Sequence, residues 1–223
     1  SSQAATGNLI TLGDPETRHP KLWQTSIDHM LNLDGSFHLD LRREHMPFFK
    51  PGYVDDLHKK VEIKVETLLD AIAEVGKSNL VKDLSQQIPI FTLSEILGIP
   101  EEDRHKLATW MEFLELAQYF SAENTKQAQG KSEEMEVDTS MIELFENMIG
   151  EMFEYGKHIL QEKRLNPKDD LLSAIANAEL DGAKLSQEYL DGSWLLIIFA
   201  GNDTTRNSIS GAIKLLTEFP EQK

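Results

Sequence analysis

FAGNDTTRNS, residues 199–208, follows directly on the apolar run WLLIIFA, residues 194–200. Gly, Asn, Asp and two Thr are poor helix formers, each costing tenths of a kcal/mol to about 1 kcal/mol relative to Ala. Apolar residues nevertheless resume at helical spacing in Ile209, Ile213 and Leu216. The periodicity therefore predicts one long helix from Ser186 to Phe219, running through the polar stretch. A sequence that accepts such a cost inside a buried element has a packing reason or a chemical one.

The packing reason is that Gly201 lets another helix come close. The Thr hydroxyls then bond back to carbonyls one turn earlier, and Asp203 faces solvent. The chemical reason asks more of the same residues. Gly201 admits a flat ligand to the helix backbone, while Asp203 and Thr204 form an adjacent acid and alcohol able to relay protons. If the Thr204 hydroxyl opens the local ladder, a water can insert and kink the helix.

Outward from this stretch the chain reads as helical throughout. Residues 1–36 read as loop with a short helix near Lys21–Leu31. A helix from Phe37 to about Met46 is ended by Pro47. Val54, Leu57, Val61, Val65, Leu68, Leu69 and Ile72 mark a long amphipathic helix, with Gly76 as its C-terminal cap. Asp83–Leu97 is a second periodic segment, interrupted by Pro89 and stopped at Gly98. Residues 101–120 start with acids, which suits the positive end of a helix. Residues 121–138 read as a polar loop, the best candidate for a moving segment, and Glu133, Glu134 and Glu136 as its solvated edge. Ser140–Arg164 reads as a long helix in which Met141, Met148 and Met152 fill core. Asn166-Pro167 breaks it, Asp169–Ala178 forms a short helix, and Asp181-Gly182 makes a turn. No strand, repeat or linker is expected. The fold class is mainly α: one all-α domain over 1–223, divided into a loop and first helix (1–50), a helical body (51–185) and the long central helix (186–219).

The 223 residues suffice for a real core, and 40% hydrophobic with 27% charged residues is ordinary for a globular protein. A net charge of -16 disfavours nucleic acid and anionic membrane surfaces as partners. There is no cysteine, which removes disulfides, thiolate metal sites and cysteine nucleophiles, and fits a reducing, cytoplasmic setting. The longest apolar run, Trp194–Ala200, is too short to span a bilayer. The start lacks the features of a signal peptide and has no Met, and the end follows directly on a helix stop, so both ends read as cut.

FAGNDTTR resembles the long central helix of the cytochrome P-450 family, whose signature is Ala/Gly-Gly-x-Asp/Glu-Thr-Thr/Ser. Residues 166–213, with their Asn-Pro-x-Asp-Asp-Leu lead-in, are similar to a bacterial-class member. NLDGSFHLDLRREHMPFF (residues 32–49) resembles the segment in which a His and an Arg hold heme propionates, and LSEILGIPEEDR (93–104) resembles the helix ending in Leu-Gly-Val/Ile-Pro.

The resemblance implies the helical part of that fold, a heme b cofactor and a monooxygenase acting on an apolar small molecule. By analogy that substrate is of terpene, steroid or alkane class. A ferredoxin or flavoprotein would give electrons; neither nucleic acid nor membrane is implied. Residue by residue, Asp203 and Thr204 match the catalytic proton-delivery pair. Ala200, Gly201 and Thr205 match positions against the heme, and His38 and Arg42 match the propionate anchors, four residues apart on one helical face. Residues 113–140 match segments around the substrate. The Asp-Pro-Pro lead of the family is replaced by Asp34-Gly35-Ser36, and no residue here can be the thiolate ligand of iron. The resemblance thus implies a piece of a longer protein, inactive alone. The alternative is a non-catalytic all-α binding or scaffold module derived from that fold.

Overall fold

The computed structural model describes residues 29–113, 139–180 and 182–223. The expected helix near Lys21 lies almost wholly outside the described residues, and the 121–138 loop entirely so. Three elements open the described chain. A 3-10 turn at Met30–Asn32 leads into helix α1 (Gly35–His45), and a second 3-10 turn follows at Met46–Phe49, where Pro47 cannot donate to the preceding helix. Helix α2 (Pro51–Val75) starts on a proline and ends on Gly76 at φ +73. It buries no residue fully. Its half-buried stripe, Tyr53, Leu57, Val61, Val65, Leu68 and Ile72, lies on the body, while Val54 and Leu69 stay exposed.

A wide helical turn at Val81–Ser85 leads into α3 (Gln87–Leu97). The segment is parted at Gln86, three residues before Pro89, so the interruption falls ahead of the proline and not at it. Pro89 is the third residue of α3, where the backbone N–H has no intrahelical acceptor and nothing is lost. The helix stops at Gly98, whose φ of +65 few other residues adopt, with Ile99 N–H donating to Ser94 C=O at 2.9 Å. Residues 104–113 form helix α4, with Leu107, Trp110 and Met111 buried. Helix α5 (Thr139–Leu165) and the short α6 (Leu171–Asn177) follow.

Two findings differ from the sequence reading. The turn around Gly182 closes a two-stranded antiparallel hairpin, β1 (Glu179–Leu180) with β2 (Ala183–Lys184), where no strand was expected. Such two-residue strands carry too little alternation to be read from sequence. The central helix is also not continuous. It is α7 (Gln187–Ala200) and α8 (Asp203–Glu218), parted at Gly201-Asn202. Asn202 sits at φ -115 and ψ -58, at the wide edge of the right-handed region, and the Thr204 hydroxyl donates to the Ala200 carbonyl at 3.2 Å. Gly201 and Asn202, a weak pair of helix formers, stand where the helix parts.

The core lies between α5 and α7, closed by α3, α4 and α6. Trp194 stacks edge-on to Trp110 and tilts over Tyr155, and its indole N–H donates to the Met152 carbonyl at 3.0 Å. A Cβ at Gly156 would come within 2.5 Å of the Trp194 ring, so the glycine lets α5 and α7 approach at this point. Met148 and Met152 pack in the core, as the sequence reading had them.

The junction of α3, α5 and α6 is ionic. Lys163, 2% exposed, pairs with Asp170, 4% exposed, and also donates to the Gly98 carbonyl at 3.0 Å. The other Asp170 oxygen caps α6 by accepting from Ser173 N–H at 2.8 Å. Removing one partner of such a pair strands a buried charge. Lys163→Met is expected to lower unfolding free energy by about 3–5 kcal/mol, read from urea midpoints. Lys163→Met with Asp170→Asn, which keeps the cap, is expected to recover most of it.

Candidate functional site

A cavity of about 710 Å³ opens between the end of α1, the middle of α3, the end of α7 and the start of α8. That volume lies in the range of small-molecule and cofactor sites, roughly 300–1,000 Å³. Its walls are mostly apolar: Met30, Leu31, Met46, Phe49, Pro89, Leu93, Ile96, Leu171, Leu196, Ile197, Ala200 and Gly201. Arg42, His45, Thr92, Ser193 and Thr205 supply the polar groups. An oily chamber with few polar contacts suits a flat, mainly apolar ligand with a charged edge.

Of the residues singled out from sequence, Arg42, Ala200, Gly201 and Thr205 meet on this cavity. Three do not reach it. His38 is half-buried beside it, with Nδ1 3.0 Å from the Met30 carbonyl. A carbonyl only accepts, so that nitrogen carries the proton. Asp203 accepts from Arg206 and Asn207 at 2.8 Å each, within the first turns of α8. Thr204 is exposed and donates to Ala200 C=O.

Gly201 also owes its identity to packing. A Cβ there would stand 2.8 Å from the Ile197 carbonyl and 3.0 Å from Leu93 Cδ1 of α3. The nearer of these atoms belongs to the preceding turn of α7 and the other to a side chain of α3. Gly201 still forms cavity wall.

The sequence reading passed over His45, Thr92, Ser193 and Met30. Only His45 left a signal: 38, 42 and 45 follow the i, i+4, i+7 spacing of one helical face. Thr92 and Ser193 come from helices distant in sequence. Burial without a compensating partner lowers the pKa of His45 to about 4 from its ordinary 6.5.

No family model matches the chain. It is 32% identical over 212 residues to cytochrome P450 CYP107DY1 of Priestia megaterium, an alignment covering 94% of this chain and 47% of that protein. The chain belongs to the cytochrome P450 family. A steroid C26-monooxygenase of Mycobacterium tuberculosis is 31% identical over 193 residues, covering 86% of this chain and 40% of that protein. Among solved structures, cytochrome P450 CYP268A2 of Mycobacterium marinum, in complex with pseudoionone, aligns at 30% identity with a TM-score of 0.71. That match covers 89% of this chain and 45% of the solved one. The chain spans about half the length of the curated relatives it matches. Its helices are those of the helical part of the P450 fold. Among the described residues no helix is long and apolar enough to cross a membrane.

The His45 environment predicts an acid limb in the stability of the cofactor-free chain. Its folded pKa lies below the unfolded value, so between pH 6.5 and about 4 the unfolded chain binds the extra proton. Stability is expected to fall as pH drops through that window, and His45→Gln to flatten that part of the curve. Thermal melts at half-unit pH steps check both.

Proposed function

We propose that these residues form one side of the heme site of a monooxygenase that inserts one oxygen atom from O2 into an apolar organic substrate. The observation that carries the reading is the meeting of Arg42 with Ala200, Gly201 and Thr205 on one largely apolar cavity. The cavity fits a porphyrin in kind: apolar walls for the ring and a guanidinium for its acidic edge. Heme, when bound, supplies the activation of dioxygen with electrons from a ferredoxin or flavoprotein. The chain has no cysteine, so on this reading the iron's thiolate comes from outside these 223 residues.

Each residue has a role that follows from its chemistry. Arg42 offers a planar fork of N–H donors to a propionate, a charge-assisted contact that sets the register of the ring. His38, with Nδ1–H given to Met30 C=O, presents Nε2. Ala200 and Gly201 keep the α7 wall low, so reactants reach the space above it. Thr204 holds a proton on Oγ1, now donated to Ala200 C=O, and its lone pairs remain able to accept another. Asp203, steadied by Arg206 and Asn207, is the carboxylate next to it that exchanges protons with solvent. The apolar faces of Leu93, Leu171, Leu196 and Ile197 exclude water and select an oily substrate. The names of relatives, a steroid monooxygenase among them, support that substrate class.

Two substitutions test the reading in the heme-loaded protein supplied with an electron donor. Thr204→Ala is expected to keep oxygen uptake while product falls and hydrogen peroxide accumulates; unchanged coupling removes Thr204 from proton delivery. Arg42→Ala is expected to speed the loss of heme to an acceptor such as apomyoglobin, and an unchanged rate removes Arg42 from the anchor.

A further inference from the structure

Of the polar side chains that line the cavity, Arg42 and Thr205 are exposed and His45 and Thr92 half-buried, whereas Ser193 is 4% exposed. The Thr92 hydroxyl is spent on the Ile88 carbonyl at 2.8 Å. The Ser193 hydroxyl donates to no carbonyl among the described residues. One turn earlier on the same face of α7 stands Tyr189, 8% exposed, with its ring edge-on to Phe37 of α1. The Tyr189 hydroxyl is buried and has no hydrogen-bond partner. Burial pushes this phenol up to about 12, and Ser193 is near enough to offset part of that, although the two hydroxyls do not meet in hydrogen-bonding geometry.

A buried hydroxyl without a partner has lost the bonds that water gave it and gained none in return. Two such groups side by side at the wall of an apolar cavity call for a partner that arrives with a ligand. Their place along the wall is defined. Ser193, Leu196, Ile197 and Ala200 form one stripe of α7 facing the cavity. Ser193 lies two turns, about 10 Å, before Ala200 along the helix axis.

We propose that Ser193 and Tyr189 form a polar subsite for an uncharged carbonyl oxygen of the substrate, with Ser193 donating to the carbonyl and Tyr189 donating to Ser193 Oγ. The count of donors and acceptors selects the ligand group. A ketone or ester oxygen only accepts, so the chain from Tyr189 through Ser193 to the carbonyl leaves neither hydroxyl proton without an acceptor. A ligand hydroxyl would bring a further proton to place. A carboxylate would have to bury its charge, and the cation of the cavity, Arg42, stands at the exposed rim. The inference rests on reading the cavity as the site of an apolar substrate. It narrows that substrate to an oily molecule whose ketone or ester lies about 10 Å from the part seated against Ala200.

Equilibrium binding of methyl nonyl ketone and of undecane to the heme-loaded protein tests this, together with the infrared carbonyl band of the bound, carbonyl-labelled ketone. The expected band lies below its position in a hydrocarbon solvent, the mark of a hydrogen-bonded carbonyl. Ser193→Ala is expected to weaken ketone binding about tenfold, to return the band to the hydrocarbon position and to leave undecane binding within about twofold. Retained undecane binding shows that the variant keeps its fold. Tyr189→Phe keeps the ring on Phe37 and is expected to move the band part of the way, which a merely structural role would not do. If undecane binds but Ser193→Ala changes neither the ketone's affinity nor its band, the subsite is overturned while the apolar-substrate reading stands. If the heme-loaded protein takes up neither molecule, the apolar-substrate reading falls and the inference with it.

Discussion

The buried pair of Lys163 and Asp170 sets the position of most of what matters in this chain. It joins the end of α5 to the start of α6, and through the Gly98 carbonyl to the end of α3. A Cβ at Gly98 would run into the Asp170 carboxylate, so the ion pair and the left-handed glycine require one another. Burying two charges is favourable only when their remaining hydrogen-bonding capacity is met. Here the Ser173 N–H and the Gly98 carbonyl meet it. The geometry follows from that demand: α3 must end where α6 begins. Leu93 on α3 and Leu171 on α6 then face the same cavity.

The second constraint is steric. α7 approaches its neighbours closely at two points, and at each a glycine makes room. Gly156 on α5 receives the Trp194 ring, and Gly201 at the end of α7 receives Leu93. Interiors are packed to crystal-like density, so contacts of this kind leave little freedom in how helices sit. Gly201 thus has two duties. It permits the α3 contact, and beside Asn202 it ends the helix, so that α8 starts afresh with Asp203 in its first turn. A carboxylate there is favoured by the positive end of the helix. The break is therefore part of how Asp203 and Thr204 are held, with Arg206 and Asn207 as the further partners of the acid.

Electrostatics give the cavity its character. The protein carries a net charge of -16, yet the charged side chain lining the cavity is a cation, Arg42. Arg42 stands at the solvent-exposed rim of the apolar cavity, so an anionic edge of a ligand seated against the walls meets a cation there. His45, one turn on, is kept neutral by the same walls. A cation and a base that burial keeps uncharged share one rim.

Much of this was legible from the residues alone. Helical periodicity located α2, α5 and the segment around α7 and α8, because burying one stripe of a helix imposes a 3.6-residue repeat whatever the partner. Gly76 and Gly98 were readable as helix ends for a local reason, since left-handed backbone costs other residues energy. The family was legible from short stretches, 32–49, 93–104 and 166–213, whose spacing survives in sequence. What sequence could not supply depended on partners far along the chain. The tertiary neighbour of Gly201 is Leu93, more than a hundred residues earlier. The hairpin at Gly182 is two residues deep and leaves no pattern. His45 became a cavity residue only when α1 was laid against α6 and β1, with α3 and α7 lining the same cavity. Local preference and periodicity are properties of the chain. Which side chains share a cavity is a property of packing, and only the tertiary structure decides it.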